Sequence, residues 1–286
     1  MSGRTLRSDA LREAFASVSI ALVLLLGAPL SVFAQEKRMP PFYEDKMNLL
    51  VVQDDNGRMR AVTTTADWQE RREHIVAGMQ LVMGPLPGAD RRVPVDIQVI
   101  ETETLHKVTR KKITYASEKG HRVPAYLLIP NELTGKAPAM LCLHGSSGPR
   151  GRIVGVFDQR LKVIVTSSGF DSFSDYMGGD LKGWCQQCYM PRIASAYGKD
   201  PKQLPFDFPE VLAALAPRAL YIHAPRGDSN FKVDSVRRCV AAAKSVYAVY
   251  GAQDRIVAAY PEGVHGFPPD ARAAAYEFID RVLRPD

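Results

Sequence analysis

The chain lacks internal repeats and low-complexity tracts, which excludes a solenoid or an array. It lacks an apolar run long enough to cross a bilayer comfortably, since residues 18–26 are too few for a spanning helix. Cysteine is scarce: Cys142, Cys185, Cys188 and Cys239 are all there are. No second Cys/His pair with suitable spacing accompanies Cys185 and Cys188, so no metal site is expected. A basic helix and interleaved aromatic and basic residues are also missing, so no nucleic-acid partner is expected. The net charge of +6 is dispersed, and short clusters such as Arg91-Arg92 and Arg110-Lys111-Lys112 read as solvated faces.

What is present points to a globular protein. The 286 residues are 46% hydrophobic and 24% charged, enough for one large domain or two small ones. Arg4, Arg7 and Arg12 precede the apolar run, and Gly27, Pro29 and the small residues up to Ala34 follow it. This order predicts a secretory signal cleaved after Ala34, with no membrane attachment afterwards and a secreted or periplasmic product. Residues 35–94 read as an extension: a leader along the surface over residues 35–64, then one helix capped by Thr65 with an apolar stripe of Trp68, Ile75, Met79 and Val82.

Residues 95–286 read as one α/β domain. Residues 95–130 carry β patterns with a turn at residues 118–121. Residues 139–143 and 161–166 are short apolar runs suited to strands buried on both faces. Strand-length runs at residues 219–224 and 255–260 alternate with helical segments at residues 234–247 and 270–283, the mark of a mostly parallel sheet flanked by helices. Cys142 within one such strand and Cys239 on a helix are expected to be buried thiols. Each of the last two strands runs into a polar loop. The first loop offers the carboxylate Asp228 and the second the imidazole His265. Parallel strands deliver functional groups from their C-terminal ends, which sets Asp254, ahead of its strand, at the wrong end. An acid followed by a histidine is the order of the last two members of a Ser-Asp-His triad. Read alone, Asp228 could equally cap a turn, and His265 could be a loop histidine with satisfied bonds.

Several segments resemble the α/β-hydrolase superfamily, and within it the secreted dienelactone-hydrolase and acetylxylan-esterase-like branch. They include Val123-Pro-Ala-Tyr-Leu-Leu-Ile-Pro130, Ala139-Met-Leu-Cys-Leu-His-Gly145, Ser167-Ser-Gly-Phe-Asp-Ser172, Leu212-Ala-Ala-Leu-Ala-Pro217, Gly227-Asp-Ser-Asn-Phe231 and Gly263-Val-His-Gly-Phe267. The resemblance implies a serine esterase that needs no cofactor and acts on small-molecule or polysaccharide esters. It makes Asp228 the triad acid, His265 the general base, and the backbone around His144, Gly145 and Ser146 the oxyanion region. Imidazole takes the hydroxyl proton during attack, the carboxylate holds the ring, and backbone N–H groups stabilise the oxyanion.

The nucleophile elbow G-x-S-x-G of that superfamily is absent. Residues 139–143 and 161–166 match the superfamily's third and sixth strands, and only residues 145–160 join them. A strand-helix-strand unit takes about 30 residues, so something on the order of 80–100 residues is missing by comparison. Residues 153–157 match the tail of the elbow helix. The sheet is therefore expected to be incomplete, at most six-stranded, and weakly stable. Ser146 and Ser147 are the substitute nucleophiles the sequence offers, with Ser168 a further one. Two other readings remain open. One is a non-catalytic remnant binding carbohydrate or a protein partner through the loop over residues 171–205. The other is thiol-disulfide redox at Trp184-Cys-Gln-Gln-Cys188, where Cys185 and Cys188 could form a local disulfide.

Overall fold

A β-hairpin and a capped helix begin the regular structure. The structure, a computed structural model, describes residues 39–143, 150–187 and 189–284, and from Pro40 onward these belong to one unit. β1 (Val51–Gln53) and β2 (Met59–Ala61) pair antiparallel. Their turn is held by the Asp54 carboxylate, which accepts from the Asn56 and Arg58 amides at 2.9 Å each. α1 (Thr65–Met83) opens on a capping box. The cap is Thr64 rather than Thr65: Thr64 is extended, its hydroxyl accepts from Asp67 N at 3.2 Å, and the Asp67 carboxylate accepts from Thr64 N at 2.9 Å. Trp68, Ile75, Met79 and Val82 are all buried, as their spacing predicts.

The leader over residues 35–64 departs from its expected place on the surface. Leu49, Val52 and Val62 are buried in the main core with the α1 stripe. Of the two short strands β1 buries only Val52 and β2 buries no residue, too few to produce a readable period. Arg71 of α1, itself buried, donates to Glu210 Oε1 at 2.5 Å across 139 residues of sequence.

β3 (Gln98–Thr104), β4 (Val108–Glu118) and β5 (His121–Pro130) form an antiparallel meander, in keeping with the β pattern of residues 95–130. Gly120 makes the β4–β5 turn at φ +79°, a conformation that suits glycine. Of these strands only Ile113 is a buried hydrophobic residue, and Tyr126, Leu127 and Leu128 are exposed.

After α2 (Arg150–Phe157), β6 (Val163–Ser167) opens a second three-stranded sheet. α3 (Arg192–Ser195) and α4 (Phe208–Ala213) lead to β7 (Ala219–His223), and α5 (Val233–Val249) crosses to β8 (Ile256–Ala259). α6 (Pro269–Leu283) closes the chain. The strands are parallel in the order β6-β7-β8. All five residues of β7 are buried. Leu220 and Ile222 face the large core with α4 and α5, whereas Ala219 and Tyr221 meet Ala275 and Phe278 of α6. Alternate side chains leave opposite faces of a strand, so helices cover both faces. The architecture is mixed α/β, with parallel and antiparallel sheets flanked by helices.

Residues 139–143 correct a sequence expectation. They have no regular structure, and Met140, Leu141, Cys142 and Leu143 are exposed. A strand of this composition needs paired neighbours and cover on both faces. Among the described residues β6 instead stands at the edge of its sheet. Cys239 is buried as expected. Residues 1–34, with the proposed signal, lie outside the described residues, as do His144, Gly145, Ser146, Ser147 and Cys188.

Candidate active site

The C-terminal ends of β6, β7 and β8 meet on one side of the parallel sheet, where an open α/β sheet places its ligands. Beyond β7 and β8 the two loops are stapled together. Ala224 N donates to Ala259 O at 2.9 Å, Arg226 N to Pro261 O at 2.9 Å, and Gly227 N to Gly263 O at 2.8 Å. Gly227 is required here, since a Cβ would lie 2.7 Å from the Gly263 carbonyl oxygen.

This stapling sets Asp228 against His265. The Asp228 side chain is 2% exposed, and its Oδ1 accepts from Asn230 N at 2.8 Å and Phe231 N at 3.2 Å. His265 Nδ1 lies 3.0 Å from both carboxylate oxygens, and its side chain is 48% exposed. A carboxylate only accepts, so Nδ1 carries the proton and Nε2 is the free ring nitrogen. The acid is held by the fold while the imidazole stands open. The structure brings together Asp228 and His265, the two residues singled out in the sequence. Asp254 is exposed in the turn that precedes β8, at the opposite end of the strand from His265.

His265 lines a cavity of about 590 Å³ together with Ser167, Ser168, Tyr176, Trp184 and Arg272. Both serines turn to the residue after the histidine. Ser167 Oγ donates to Gly266 O at 2.9 Å, and Ser168 Oγ lies 3.3 Å from both Gly266 O and Gly266 N. Ser168 sits at φ +43°, strained for a residue with a side chain. Ser167 Oγ also lies 2.7 Å from His223 Nδ1, a pair the sequence reading did not single out. The available signal was two polar residues ending two adjacent apolar strands.

Trp184 packs in an aromatic cluster, 5.1 Å from Phe208, 5.5 Å from Tyr176 and 5.8 Å edge-on to Phe173. It closes the 3-10 turn Leu181–Trp184, and Cys185 follows as a free thiol whose Sγ donates to Leu181 O at 3.0 Å. Burial pushes the Cys185 thiol up, the reverse of what activates a redox cysteine. Its sequence partner Cys188 lies outside the described residues.

The remaining buried acids organise the loop between β6 and α4. Asp207 accepts from Ser172 Oγ, Phe173 N and Phe208 N, and burial still pushes it up to about 6. Asp171, fully buried, is pushed up to about 7 by burial. Among the described residues no group of three or more His, Cys, Asp or Glu side chains is placed to hold a metal ion. No described helix is long and apolar enough to cross a membrane.

No family model matches the chain. Over 81 residues it is 32% identical to YghX of Escherichia coli (strain K12), a protein whose name describes it as a hydrolase fragment; the match spans 27% of this chain and 69% of that one. Among solved structures, a glucuronoyl esterase from Solibacter usitatus superposes with a TM-score of 0.58 at 14% identity, covering 83% of this chain and 97% of that one. A carbohydrate esterase family 15 glucuronoyl esterase from Caldicellulosiruptor kristjansonii gives 0.57 at 15%, over 86% and 92%. The catalytic domain of the Hypocrea jecorina glucuronoyl esterase gives 0.54 at 16%, over 88% and 92%.

Proposed function

The chain belongs to the α/β-hydrolase superfamily, and from that premise we propose that it hydrolyses carboxylic esters, with acetyl or uronoyl esters of polysaccharide as the substrate class. One observation carries the reading: His265, held at 3.0 Å by the buried Asp228, stands half-exposed on a 590 Å³ cavity at the C-terminal edge of a parallel sheet. The carboxylate fixes the ring so that Nε2 can exchange protons with a group in the cavity. The glucuronoyl esters named for the solved relatives supply the uronoyl part of the proposal.

In this reading residues 1–34 direct export and are removed, residues 35–94 are an N-terminal extension, and residues 95–286 are the hydrolase domain. The backbone at His144, Gly145 and Ser146 supplies oxyanion donors. Turnover is slow, because no G-x-S-x-G elbow presents a serine on a strained turn into a helix. The test is hydrolysis of p-nitrophenyl acetate and of benzyl glucuronate by the chain and by His265→Ala. Loss of proton transfer lowers turnover by about 10²- to 10⁴-fold. Turnover that His265→Ala leaves unchanged removes the dyad from the chemistry, and no turnover above buffer favours a non-catalytic hydrolase-fold remnant.

A further inference from the structure

A second imidazole lies beside the one already described. Ser167 ends β6 and His223 ends β7, and the two are ladder partners in the parallel sheet. Their side chains leave the same face, and Ser167 Oγ comes within 2.7 Å of His223 Nδ1. His223 is 2% exposed, and its Nε2 is buried with no hydrogen-bond partner among the described residues. The ring's polar contact is thus made through Nδ1 to this one hydroxyl. Ser167 itself is only partly buried and lies on the wall of the cavity that His265 lines.

Two features suit this pair to nucleophilic chemistry. A serine becomes a nucleophile when a neutral imidazole sits within about 2.6–3.2 Å to take its proton. Burial lowers the proton affinity of His223, so the ring is neutral near pH 7. The second feature is the acceptor opposite. Ser167 Oγ also donates to Gly266 O at 2.9 Å, directly after His265, so its one hydrogen has two acceptors within reach and turns from the carbonyl to His223 Nδ1 for the transfer. Ser168, the neighbouring serine, turns its hydroxyl to Gly266, and among the described residues no imidazole hydrogen-bonds to that hydroxyl.

We propose that Ser167 is the nucleophile of this chain, that His223 is the base that deprotonates it and then protonates the leaving group, and that His265 activates the water across the same cavity. The proposal rests on the ester-hydrolysis reading. Ser167 Oγ bonds to the acyl carbon as its hydrogen passes to His223 Nδ1, and the carbonyl electron pair moves onto oxygen. The tetrahedral centre collapses, the bond to the leaving alkoxide breaks, and the alkoxide takes that proton from His223. Water then attacks the Ser167 ester and gives its proton to the free Nε2 of His265, and Asp228 stabilises the imidazolium. Ser167 Oγ leaves and recovers its hydrogen from His265. One ester and one water yield one acid and one alcohol, and both rings return to their starting states.

Treating the full chain with a fluorophosphonate and mapping the adduct by peptide mass spectrometry tests this directly. The adduct is expected on Ser167. Ser167→Ala, a change of one hydroxyl, abolishes it and lowers p-nitrophenyl acetate turnover on the order of 10³-fold. Ser245→Ala, on α5, leaves both unchanged. His223→Gln is expected to slow labelling of Ser167 in a variant whose thermal midpoint and near-UV circular dichroism stay close to the parent. Turnover with the adduct on Ser146, Ser147 or Ser168 overturns the assignment while the ester-hydrolysis reading stands. Turnover lost in His265→Ala but retained in Ser167→Ala does the same. Labelling at the parent rate in folded His223→Gln overturns the base. No adduct and no turnover in the parent chain overturns both readings together.

Discussion

Replacing Arg71 by Met should destabilise the protein by a pH-dependent amount. Arg71 and Glu210 are each 1% exposed and meet at 2.5 Å. The guanidinium lies over the Tyr43 ring, with Cζ 3.1 Å from the centroid. The other Glu210 oxygen accepts from Asp207 N at 2.9 Å and so completes the capping box of α4. Met keeps much of the stem packing but leaves Glu210 buried without its counter-charge. Removing one partner of a buried pair costs about 3–5 kcal/mol. For a domain of this size each kcal/mol shifts the thermal midpoint by about 2–4 °C, so a fall of roughly 6–20 °C follows at pH 8. Burial raises the Glu210 carboxyl and the Arg71 charge opposes that rise. Without Arg71 the carboxyl binds its proton more readily in the folded state. A folded value raised above the unfolded one leaves stability intact below the unfolded value and removes it as pH rises through the folded value. The deficit of Arg71→Met should therefore be smaller at pH 5 than at pH 8. Thermal and urea unfolding followed by the fluorescence of the buried Trp68 and Trp184 report both quantities. A midpoint within about 2 °C of the parent at pH 8, or a deficit equal at both pH values, refutes the reasoning. Restoration of most of the loss in Arg71→Met/Glu210→Met supports it.

Other outcomes follow from the same geometry. Asp228→Asn should lower kcat about 10²- to 10⁴-fold with little change in KM, because the amide no longer favours the Nδ1–H tautomer of His265; steady-state kinetics at pH 7 checks this. The parent should melt at a higher temperature at pH 5 than at pH 8, since burial raises Asp171 to about 7 and Asp207 to about 6 and both contributions are lost as pH rises through those values; a higher midpoint at pH 8 contradicts it. Trp184→Ala empties the centre of an aromatic cluster and should cost about 3–5 kcal/mol in urea unfolding. Cys185, free and pushed up by burial, should react slowly with iodoacetamide at pH 7 and at the same rate with or without prior reduction; a rate that rises on reduction indicates a disulfide.

Much of this was legible because the signals are local. The α1 stripe falls at helical spacing, and β7 is apolar at nearly every position because helices cover both its faces. Asp228 and His265 could be paired in advance because parallel strands joined by one helix bring their C-terminal loops together. Non-local choices were not legible. Residues 139–143 have the composition of a buried strand and yet pair with nothing, since pairing depends on neighbours elsewhere in the chain. The inward turn of Leu49, Val52 and Val62 is set by the groove they enter, not by any period of their own.

The amino-acid sequence alone determined the alternation of strands and helices, the two polar loops of the parallel sheet, and the absence of a G-x-S-x-G elbow. Each is written in residue type and spacing along the chain. Only the tertiary structure decided that Arg71 finds Glu210, that β6 stands at the edge of its sheet among the described residues, and that Ser167 stands 2.7 Å from His223. Those contacts join residues 56 to 139 positions apart, and such distances are closed by packing and strand register, which no local pattern encodes.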